Sequence, residues 1–280
     1  MVNIKLSAFA DEYAPATADQ IYGLGELGIK YIEVRHLDGK NISKMTVDEV
    51  KAVKEQFDAA GIKTSAVGSP LGKIHLDGDI SAHMETAKRV FEAANILDTR
   101  YVRMFSFYAP EGSNIVDMKN EVVDALGKML DVAKEHGVVL CHENEAKIYG
   151  DTPARCRELL DIFGGELKCV FDMGNFVLEG VDPYPEAYEL LREYIAYFHI
   201  KDALAAGAVV PPGKGDAKIK QILDAHREYA KEDFFVSLEP HLQTFSGLNA
   251  LVGREFDNPY KYPDAVTAFR DAVQKFRELV

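Results

Sequence analysis

The chain is short of cysteine, short of positive charge and free of long apolar runs, and each shortage excludes a class of protein. Its three cysteines are odd in number and have no Cys-x-x-Cys spacing, so we expect buried free thiols and neither a disulfide framework nor a cysteine-bound zinc. There are 32 basic against 45 acidic side chains, and the net charge of -13 argues against a nucleic-acid partner, which usually binds a basic patch. No run approaches the ~18 apolar residues of a membrane span, and the first residues lack a signal-peptide core. A cytoplasmic protein with no membrane partner is expected.

Strand-like and helix-like segments alternate along all 280 residues, and no Pro/Gly/Ser-rich linker divides them. The predicted strands are residues 4–9, 31–35, 63–67, 101–107, 138–143, 167–172, 195–199 and 234–239. Apolar side chains recur every three or four residues between them, as in Met84, Ala87, Phe91 and Ala94, which is typical of amphipathic helices. This order favours parallel strands with right-handed connections, and we expect one α/β domain over residues 1–280.

Four consecutive strands in the second half end on side chains that bind divalent metals. These are Glu143, Asp172, His199 and Glu239, named the rim cluster below, and they follow one another at 29, 27 and 40 residues, close to the length of a strand–helix unit. An open doubly wound sheet, the alternative fold, gathers its site at one switch point. A barrel instead brings the carboxyl ends of its strands to one rim. The pattern therefore favours a single (β/α)8 TIM barrel in which three carboxylates and one imidazole converge.

Two glycine-rich motifs do not support a nucleotide site. Gly23-Leu-Gly25-Glu-Leu-Gly28 matches G-x-G-x-x-G, but it ends a predicted helix and precedes a strand, whereas the dinucleotide motif requires the reverse order. The segment Gly213-Lys-Gly215 lacks the spacing of a phosphate-binding loop. We therefore predict a helix end with a turn at the first motif and a flexible βα loop over the rim at the second.

Four motifs of the second half, taken in order, resemble those of a known family. They are His142-Glu-Asn-Glu145 followed by Tyr149-Gly-Asp-Thr152, Phe171-Asp-Met-Gly-Asn175, Phe198-His-Ile-Lys-Asp202 and Leu238-Glu-Pro240. The series is similar to that of the xylose isomerase-like barrels, the sugar phosphate isomerase/epimerase superfamily. The resemblance implies one divalent ion, commonly Mn2+, Mg2+ or Co2+ with Zn2+ as a further option, bound by the rim cluster. Oxygen-rich donors with one imidazole also suit hard or borderline divalent ions.

The resemblance also implies roles for single residues. It places Glu143 and Glu239 on opposite sides of the substrate, so we expect one to remove a proton and the other to return it. Asn175 stands where several epimerases of the group carry a substrate-contacting histidine. This departure weakens the case for a sugar epimerase, although the amide of Asn175 can still donate a hydrogen bond to a substrate hydroxyl.

Four other charged residues are placed to contribute to the pocket. Lys73 follows the third strand and Lys201 the seventh, positions suited to binding a sugar hydroxyl or a phosphate of the substrate. The alternatives are a solvated Lys73 and an ion pair between Lys201 and Asp202. On the inner face of the second and fourth strands, Glu33 and Arg103 are expected to form internal ion pairs, with substrate contact as the alternative.

The motifs predict a metal-dependent isomerase or epimerase of a ketose, keto-polyol or sugar phosphate, working by proton transfer through an enediolate. A dehydratase of an inosose or of dehydroshikimate is the nearest alternative, because it shares the metal and the proton abstraction. An endonuclease IV-like enzyme would need a multi-zinc cluster and a basic groove. A non-catalytic sugar-binding barrel would not need a complete ligand set. A small carbohydrate is the expected partner, and a homo-oligomer is left open.

Overall fold

The computed structural model describes residues 2–242 and 260–280, and its central feature is a ring of eight parallel strands. The strands are β1 (Ile4–Ala8), β2 (Tyr31–Val34), β3 (Lys63–Gly68), β4 (Tyr101–Met104), β5 (Val139–Glu143), β6 (Lys168–Asp172), β7 (Ile195–Ile200) and β8 (Phe234–Leu238). From β2 to β8 each strand pairs with the next, β8 also pairs with β1, and β1 lies beside β2 at the remaining seam. The ring is nearly closed, which confirms the predicted (β/α)8 barrel over the open sheet.

Helices cover the outside of the barrel between the strands. They are α1 (Thr17–Glu26), α2 (Val47–Ala60), α3 (Ile80–Ile96), α4 (Lys119–Glu135), α5 (Pro153–Ile162), α6 (Met173–Leu178), α7 (Tyr188–Leu191), α8 (Ile219–Tyr229) and α9 (Ala265–Leu279). Local signals set their ends, as in α2, where Thr46 and Glu49 form a reciprocal capping box and Gly61 ends the helix in the left-handed conformation. Within the described residues, no helix is both long and apolar enough to cross a membrane.

The apolar side chains form two separate cores. The larger core lies between the helices and the outer face of the barrel, and contains Val90, Phe91, Leu126 and Met129 among many others. The smaller core, named the floor cluster, lies inside the barrel and consists of Ala66, Cys141, Val170 and Tyr197. All three cysteines are buried and free, as predicted. Because strand residues alternate in direction, Cys141, Val170 and Tyr197 of the floor cluster lie directly below Glu143, Asp172 and His199.

Both glycine motifs have structural roles. Helix α1 ends at Glu26 and Gly28 turns the chain toward β2 with a φ of 62°, so the predicted helix end is confirmed. The second motif belongs to a loop that Asp202 holds, because the Asp202 carboxylate accepts the backbone N–H groups of Gly213 at 2.7 Å and Gly215 at 3.0 Å. A Cβ atom on Gly215 would collide with this carboxylate. The motif therefore serves a close approach of backbone to side chain.

Candidate metal centre

The rim cluster lies where four parallel strands end, and its side chains are buried. Glu143 and Asp172 are the last residues of β5 and β6. His199 is next to last in β7, and Glu239 directly follows β8. Strand pairing sets Asp172 opposite His199, and Ser237 of β8 opposite the same histidine. Alternate residues of a strand share a face, so Glu239 lies on the same face as Ser237, and the strand ends bring all four side chains together at the carboxyl-terminal rim of the barrel.

The donor atoms of the rim cluster surround one nitrogen of His199. Its Nδ1 atom lies 3.1 Å from Glu143 Oε1, 3.4 Å from Glu239 Oε2 and 3.9 Å from Asp172 Oδ2. One donor atom from each of the four residues lies within 4.8 Å of the others. Three carboxylate oxygens and one ring nitrogen at these separations are the donor set that hard or borderline divalent ions accept.

Each carboxylate of the rim cluster directs one oxygen, named its inward oxygen below, toward His199 Nδ1. Other protein groups bind its second oxygen. Glu143 Oε2 accepts a hydrogen bond of 2.9 Å from Arg103, which is the internal ion pair that Arg103 was expected to make. Glu239 Oε1 accepts one of 2.8 Å from Arg35. Asp172 is also the N-cap of α6, and its Oδ1 accepts the N–H of the third helical residue at 2.8 Å. These contacts to the outer oxygens therefore fix the orientation of each carboxylate and the position of its inward oxygen.

His199 is oriented by a carboxylate on the far side of its ring. Its Nε2 atom lies 3.2 Å and 3.3 Å from the two oxygens of Glu33, and Glu33 Oε1 also accepts the hydroxyl of Tyr197 at 2.9 Å. With Nε2 directed to Glu33, Nδ1 faces the three inward oxygens and has no hydrogen-bond partner among the described residues. A histidine fixed in this way by a carboxylate is typical of metal ligands. The orphaned nitrogen and the three oxygens therefore fit a divalent cation placed between them.

The negative charges around His199 favour a cation at its Nδ1 atom. Burial alone would lower the pKa of His199, but Glu143 and Glu33 outweigh it and raise that pKa well above its usual value. The surroundings thus favour a positive charge at this ring. A divalent ion at Nδ1 would supply it in place of a proton, because metal and proton compete for the same lone pair.

Both glutamates of the rim cluster are held in the ionised form. Burial raises the pKa of Glu143, but the charges of His199 and Arg103 outweigh it and leave the pKa well below its usual value. The same holds for Glu239, where burial is outweighed by cations of which Lys201 is the strongest. Two buried carboxylates that stay charged are suited to bind a cation or to accept a proton.

Lys201 extends into the rim cluster. Its ammonium lies 2.9 Å from Asp172 Oδ2, 3.0 Å from Glu239 Oε2 and 3.0 Å from Asn175 Oδ1. The alternative of an ion pair between Lys201 and Asp202 is wrong, since the Asp202 carboxylate faces backbone N–H groups of its own loop. Burial raises the pKa of Asp172 to about 6 even with this ammonium beside it.

Asn175 and Lys73 line the cavity above the rim cluster. The amide nitrogen of Asn175 donates to Glu143 Oε1 at 3.3 Å and to a backbone carbonyl at 2.9 Å. Lys73 forms an ion pair of 3.1 Å with Glu145, and its ammonium lies 4.2 Å from the centre of the Phe105 ring. Lys73 is therefore held at the cavity wall, and the alternative of a freely solvated lysine is wrong.

The cavity has a volume of about 980 Å³ and opens directly above the rim cluster. Its lower part contains Glu143, Glu239 and Lys201, and its upper walls include Phe105 and Tyr108. Charged groups at the bottom and aromatic rings on the walls suit a small molecule with a polar reacting end and a carbon skeleton.

Arg35 and Glu33 are site residues whose partners the sequence does not reveal. Both come from the β2 region, where charged side chains on the inner face of a strand are the available signal. Arg35 binds Glu239, which is 204 residues away, and Glu33 binds His199, which is 166 residues away. Such pairs depend on the closure of the barrel and cannot be read from spacing.

Comparison with known protein families identifies the family to which this barrel belongs. The family described as the xylose isomerase-like TIM barrel matches residues 24–272. The chain belongs to the xylose isomerase-like TIM barrel family. This finding confirms the resemblance inferred from the four motifs. No curated protein matches this xylose isomerase-like barrel by sequence.

Solved structures share the fold of this xylose isomerase-like barrel at low sequence identity. D-psicose 3-epimerase from Clostridium cellulolyticum H10, determined with D-tagatose, is 13% identical with a TM-score of 0.72, over 98% of this chain and 99% of that one. The IOLI protein with a bound zinc atom is 21% identical with a TM-score of 0.72, over 99% and 98%. The probable 3-DHS dehydratase AsbF from Bacillus anthracis is 19% identical with a TM-score of 0.70, over 90% and 95%. At these identities the likeness shows the fold alone.

Proposed function

We propose that this protein is a divalent-metal-dependent isomerase or epimerase of a sugar or sugar phosphate. The observation that carries the proposal is the set of three inward carboxylate oxygens around His199 Nδ1, at the bottom of a ligand-sized cavity. Buried ionisable groups with shifted pKa values that meet in a concave site are typical of a catalytic centre. Membership of the family and the fold likeness to a sugar epimerase agree with this assignment.

The rim cluster is proposed to hold one divalent ion. Its oxygen-rich donor set suits Mn2+, Mg2+ or Co2+, and Zn2+, which the IOLI protein binds, is a further option. Bound there, the ion would supply positive charge beside a substrate carbonyl and so stabilise the negative charge of an enediolate.

Glu143 and Glu239 are proposed as the pair that moves the substrate proton. They extend from β5 and β8, which are separated by two strands in the ring, so their carboxylates approach the cavity from different directions. Arg103 and Arg35 hold their outer oxygens, and both glutamates start ionised and able to accept a proton. One would take the proton from a substrate carbon, and the other would return a proton to the neighbouring carbon or to the opposite face.

Asn175, Lys201 and Lys73 are proposed to orient the substrate. The amide of Asn175 binds Glu143 and Lys201, and it can exchange one of these hydrogen bonds for one to a substrate hydroxyl. Lys73 is paired with Glu145 at the cavity wall, so an anionic substituent of the substrate, such as a phosphate, would compete with Glu145 for this ammonium. Lys201 lies closest to the reacting end, beside the inward oxygens of the rim cluster.

A dehydratase is the second function that the site supports. Abstraction of a proton beside a carbonyl is common to both reactions, and the fold is similar to that of the probable dehydratase AsbF. The two differ in the following step, in which a dehydratase expels a hydroxyl and forms water while an isomerase returns a proton.

An endonuclease IV-like function is not favoured, because the second group of ligand-type side chains among the described residues is not independent of the rim cluster. This group consists of Glu12, Glu239 and His241. Arg35 donates to Glu239 at 2.8 Å and to Glu12 at 3.3 Å, and lies 3.5 Å from His241 Nε2. A further zinc ion at this group would share Glu239 with the rim cluster and would have to compete with Arg35 for both carboxylates.

The proposal is tested by incubating Mn2+-loaded protein in D2O with a panel of ketoses, inososes and sugar phosphates. Proton transfer through a carboxylate exposes the substrate hydrogen to exchange, so deuterium should enter the reacting carbon of the product. A product that keeps all of its original hydrogen would contradict this mechanism. An unsaturated product with loss of water would identify the dehydratase, and a tight ligand that never turns over would favour a sugar-binding barrel.

A further inference from the structure

The ammonium of Lys201 contacts the same oxygens that a metal would need. Two of the three inward oxygens of the rim cluster, Asp172 Oδ2 and Glu239 Oε2, lie 2.9 Å and 3.0 Å from Lys201 Nζ. Asn175 Oδ1 at 3.0 Å accounts for the last of the three N–H donors of a lysine. Because the side chain is buried, two carboxylates and one amide have replaced the water around this charge.

The two arginines of the site bind different oxygens from those that Lys201 binds. Arg103 contacts Glu143 Oε2 and Arg35 contacts Glu239 Oε1, which are the oxygens that face away from the imidazole. The arginines can keep these contacts when a metal binds. Lys201 would have to share its oxygens with the metal, and two cations on the same oxygens repel each other strongly in a buried site.

We propose that Lys201 is an internal counter-cation of the metal site, which holds the inward oxygens of Asp172 and Glu239 until a divalent ion displaces its ammonium. The inference rests on the metal site of the proposed function. Without the ammonium, buried carboxylates would repel one another whenever no metal is bound, and the ligands would lose their arrangement. With it, the ligands stay in place, and the affinity for the metal is lower because the ion must displace a cation.

Displacement would also give Lys201 its role toward the substrate. The side chain lines the cavity as well as the rim cluster, so an ammonium that leaves the carboxylates has the substrate space beside it. There it can donate charge-assisted hydrogen bonds to a carbonyl, hydroxyl or phosphate oxygen. Metal loading would thus convert Lys201 from a group that holds the ligands into a group that contacts the substrate.

The test compares the Mn2+ affinities of the wild type, Lys201→Met and Lys201→Arg by isothermal titration calorimetry. Methionine keeps the apolar stem of lysine and removes its charge, whereas arginine keeps the charge. We expect Lys201→Met to bind Mn2+ at least ~10-fold more tightly than the wild type, because the repulsion between the two cations is gone. Its metal-free form should melt at a lower temperature than the metal-free wild type. Lys201→Arg should bind Mn2+ no more tightly than the wild type.

Lys218→Met is the matched control, since Lys218 forms an ion pair of 2.6 Å with Asp182 away from the rim cluster and its loss should leave Mn2+ affinity unchanged. If metal-free Lys201→Met does not fold, the variant is prepared with Mn2+ and its affinity is measured by competition with EDTA. Unchanged or weaker binding by Lys201→Met overturns the proposal, because loss of a merely structural lysine would weaken the site. A wild type that binds no divalent ion would overturn the metal site itself and this role with it.

Discussion

The inside of the barrel has two layers that differ in chemistry although they come from the same strands. Cys141, Val170 and Tyr197 of the floor cluster each stand two residues before a member of the rim cluster on β5, β6 and β7. Over that distance these three strands change from apolar packing to two carboxylates and an imidazole, and Glu239, which follows β8, adds the third carboxylate. Both layers are buried, so solvent exposure does not explain the difference.

The two layers make opposite contributions to the stability of the fold. The floor cluster removes apolar surface from water and stabilises the fold. The rim cluster buries like charges close together, which opposes folding unless cations compensate for them. TIM barrels keep their chemistry at the carboxyl ends of the strands, and residues toward the other end serve stability. We therefore expect substitutions in the rim cluster to affect turnover more than stability, and substitutions in the floor cluster to affect stability more than turnover.

The largest expected effect is on turnover, from changes to the two glutamates of the rim cluster. Glu143→Gln and Glu239→Gln keep the size of the side chain but remove the proton acceptor. Each should lower kcat by ~100-fold or more, within the range of general acid–base catalysis, and leave the fold intact. Steady-state kinetics and circular dichroism on the same preparations would check both parts.

Glu145→Gln is the control for this pair, since Glu145 lies beyond the end of β5 and binds Lys73 at the cavity wall. It should affect kcat far less than Glu143→Gln does. If Glu145→Gln abolished turnover while Glu143→Gln stayed active, the catalytic role would belong to the loop and the comparison between the two layers would be wrong.

Removal of the metal should destabilise the protein through the rim layer alone. We expect about one divalent ion per chain, and restoring Mn2+ at 100 times its Kd after EDTA treatment should add ~2.7 kcal/mol to the free energy of unfolding. Elemental analysis and thermal melts with and without EDTA would measure both quantities. Three zinc ions per chain would point instead to a nuclease-like centre, and the absence of any bound ion would exclude the rim cluster as a metal site.

The two layers also show what the sequence can predict. The rim residues end predicted strands, so a local signal and the period of the strand–helix unit were sufficient to bring them together. Asp202 is the neighbour of Lys201 in the chain, but its carboxylate binds backbone N–H groups of its own loop, so adjacency in the sequence does not predict the partners of Lys201. The contacts of Lys201 with Asp172 and Glu239 come from neighbouring strands and follow only once the barrel is assembled.

A substitution in the floor cluster should lower the free energy of unfolding and leave kcat nearly unchanged. Val170→Ala removes buried methyl groups from the interior of the barrel and leaves a small cavity, which should lower the free energy of unfolding by ~1–3 kcal/mol. The kcat of the folded variant should change little. Urea denaturation and kinetics at one temperature would test this, and a loss of kcat as large as that of Glu143→Gln would show that the layers are not separable.

The smallest expected effect distinguishes two buried histidines. His226 of α8 has aromatic neighbours, whereas His199 has carboxylates. The ring centroids of Phe198 and Phe234 lie 4.8 Å and 4.7 Å from that of His226. Tyr188 Oη lies 3.2 Å from His226 Nδ1. Burial without an anionic partner lowers the pKa of His226 to about 4. Imidazolium is thus disfavoured at His226 and favoured at His199.

The sign of the pH dependence follows from the lowered pKa of His226. An unfolded histidine, with a pKa near 6.5, binds a proton more readily than the folded one, so the stability from neutral His226 is complete above about pH 6.5 and is lost as the pH falls toward 4. The loss should reach ~2 kcal/mol at pH 5. His226→Gln keeps a hydrogen-bonding partner for Tyr188 but does not titrate, so its unfolding free energy, measured in urea at pH 7.5 and pH 5, should fall less than that of the wild type. An equal fall in both proteins would show that His226 is not the source of the acid sensitivity, which would then lie with another group such as the buried His142, whose pKa burial also lowers to about 4.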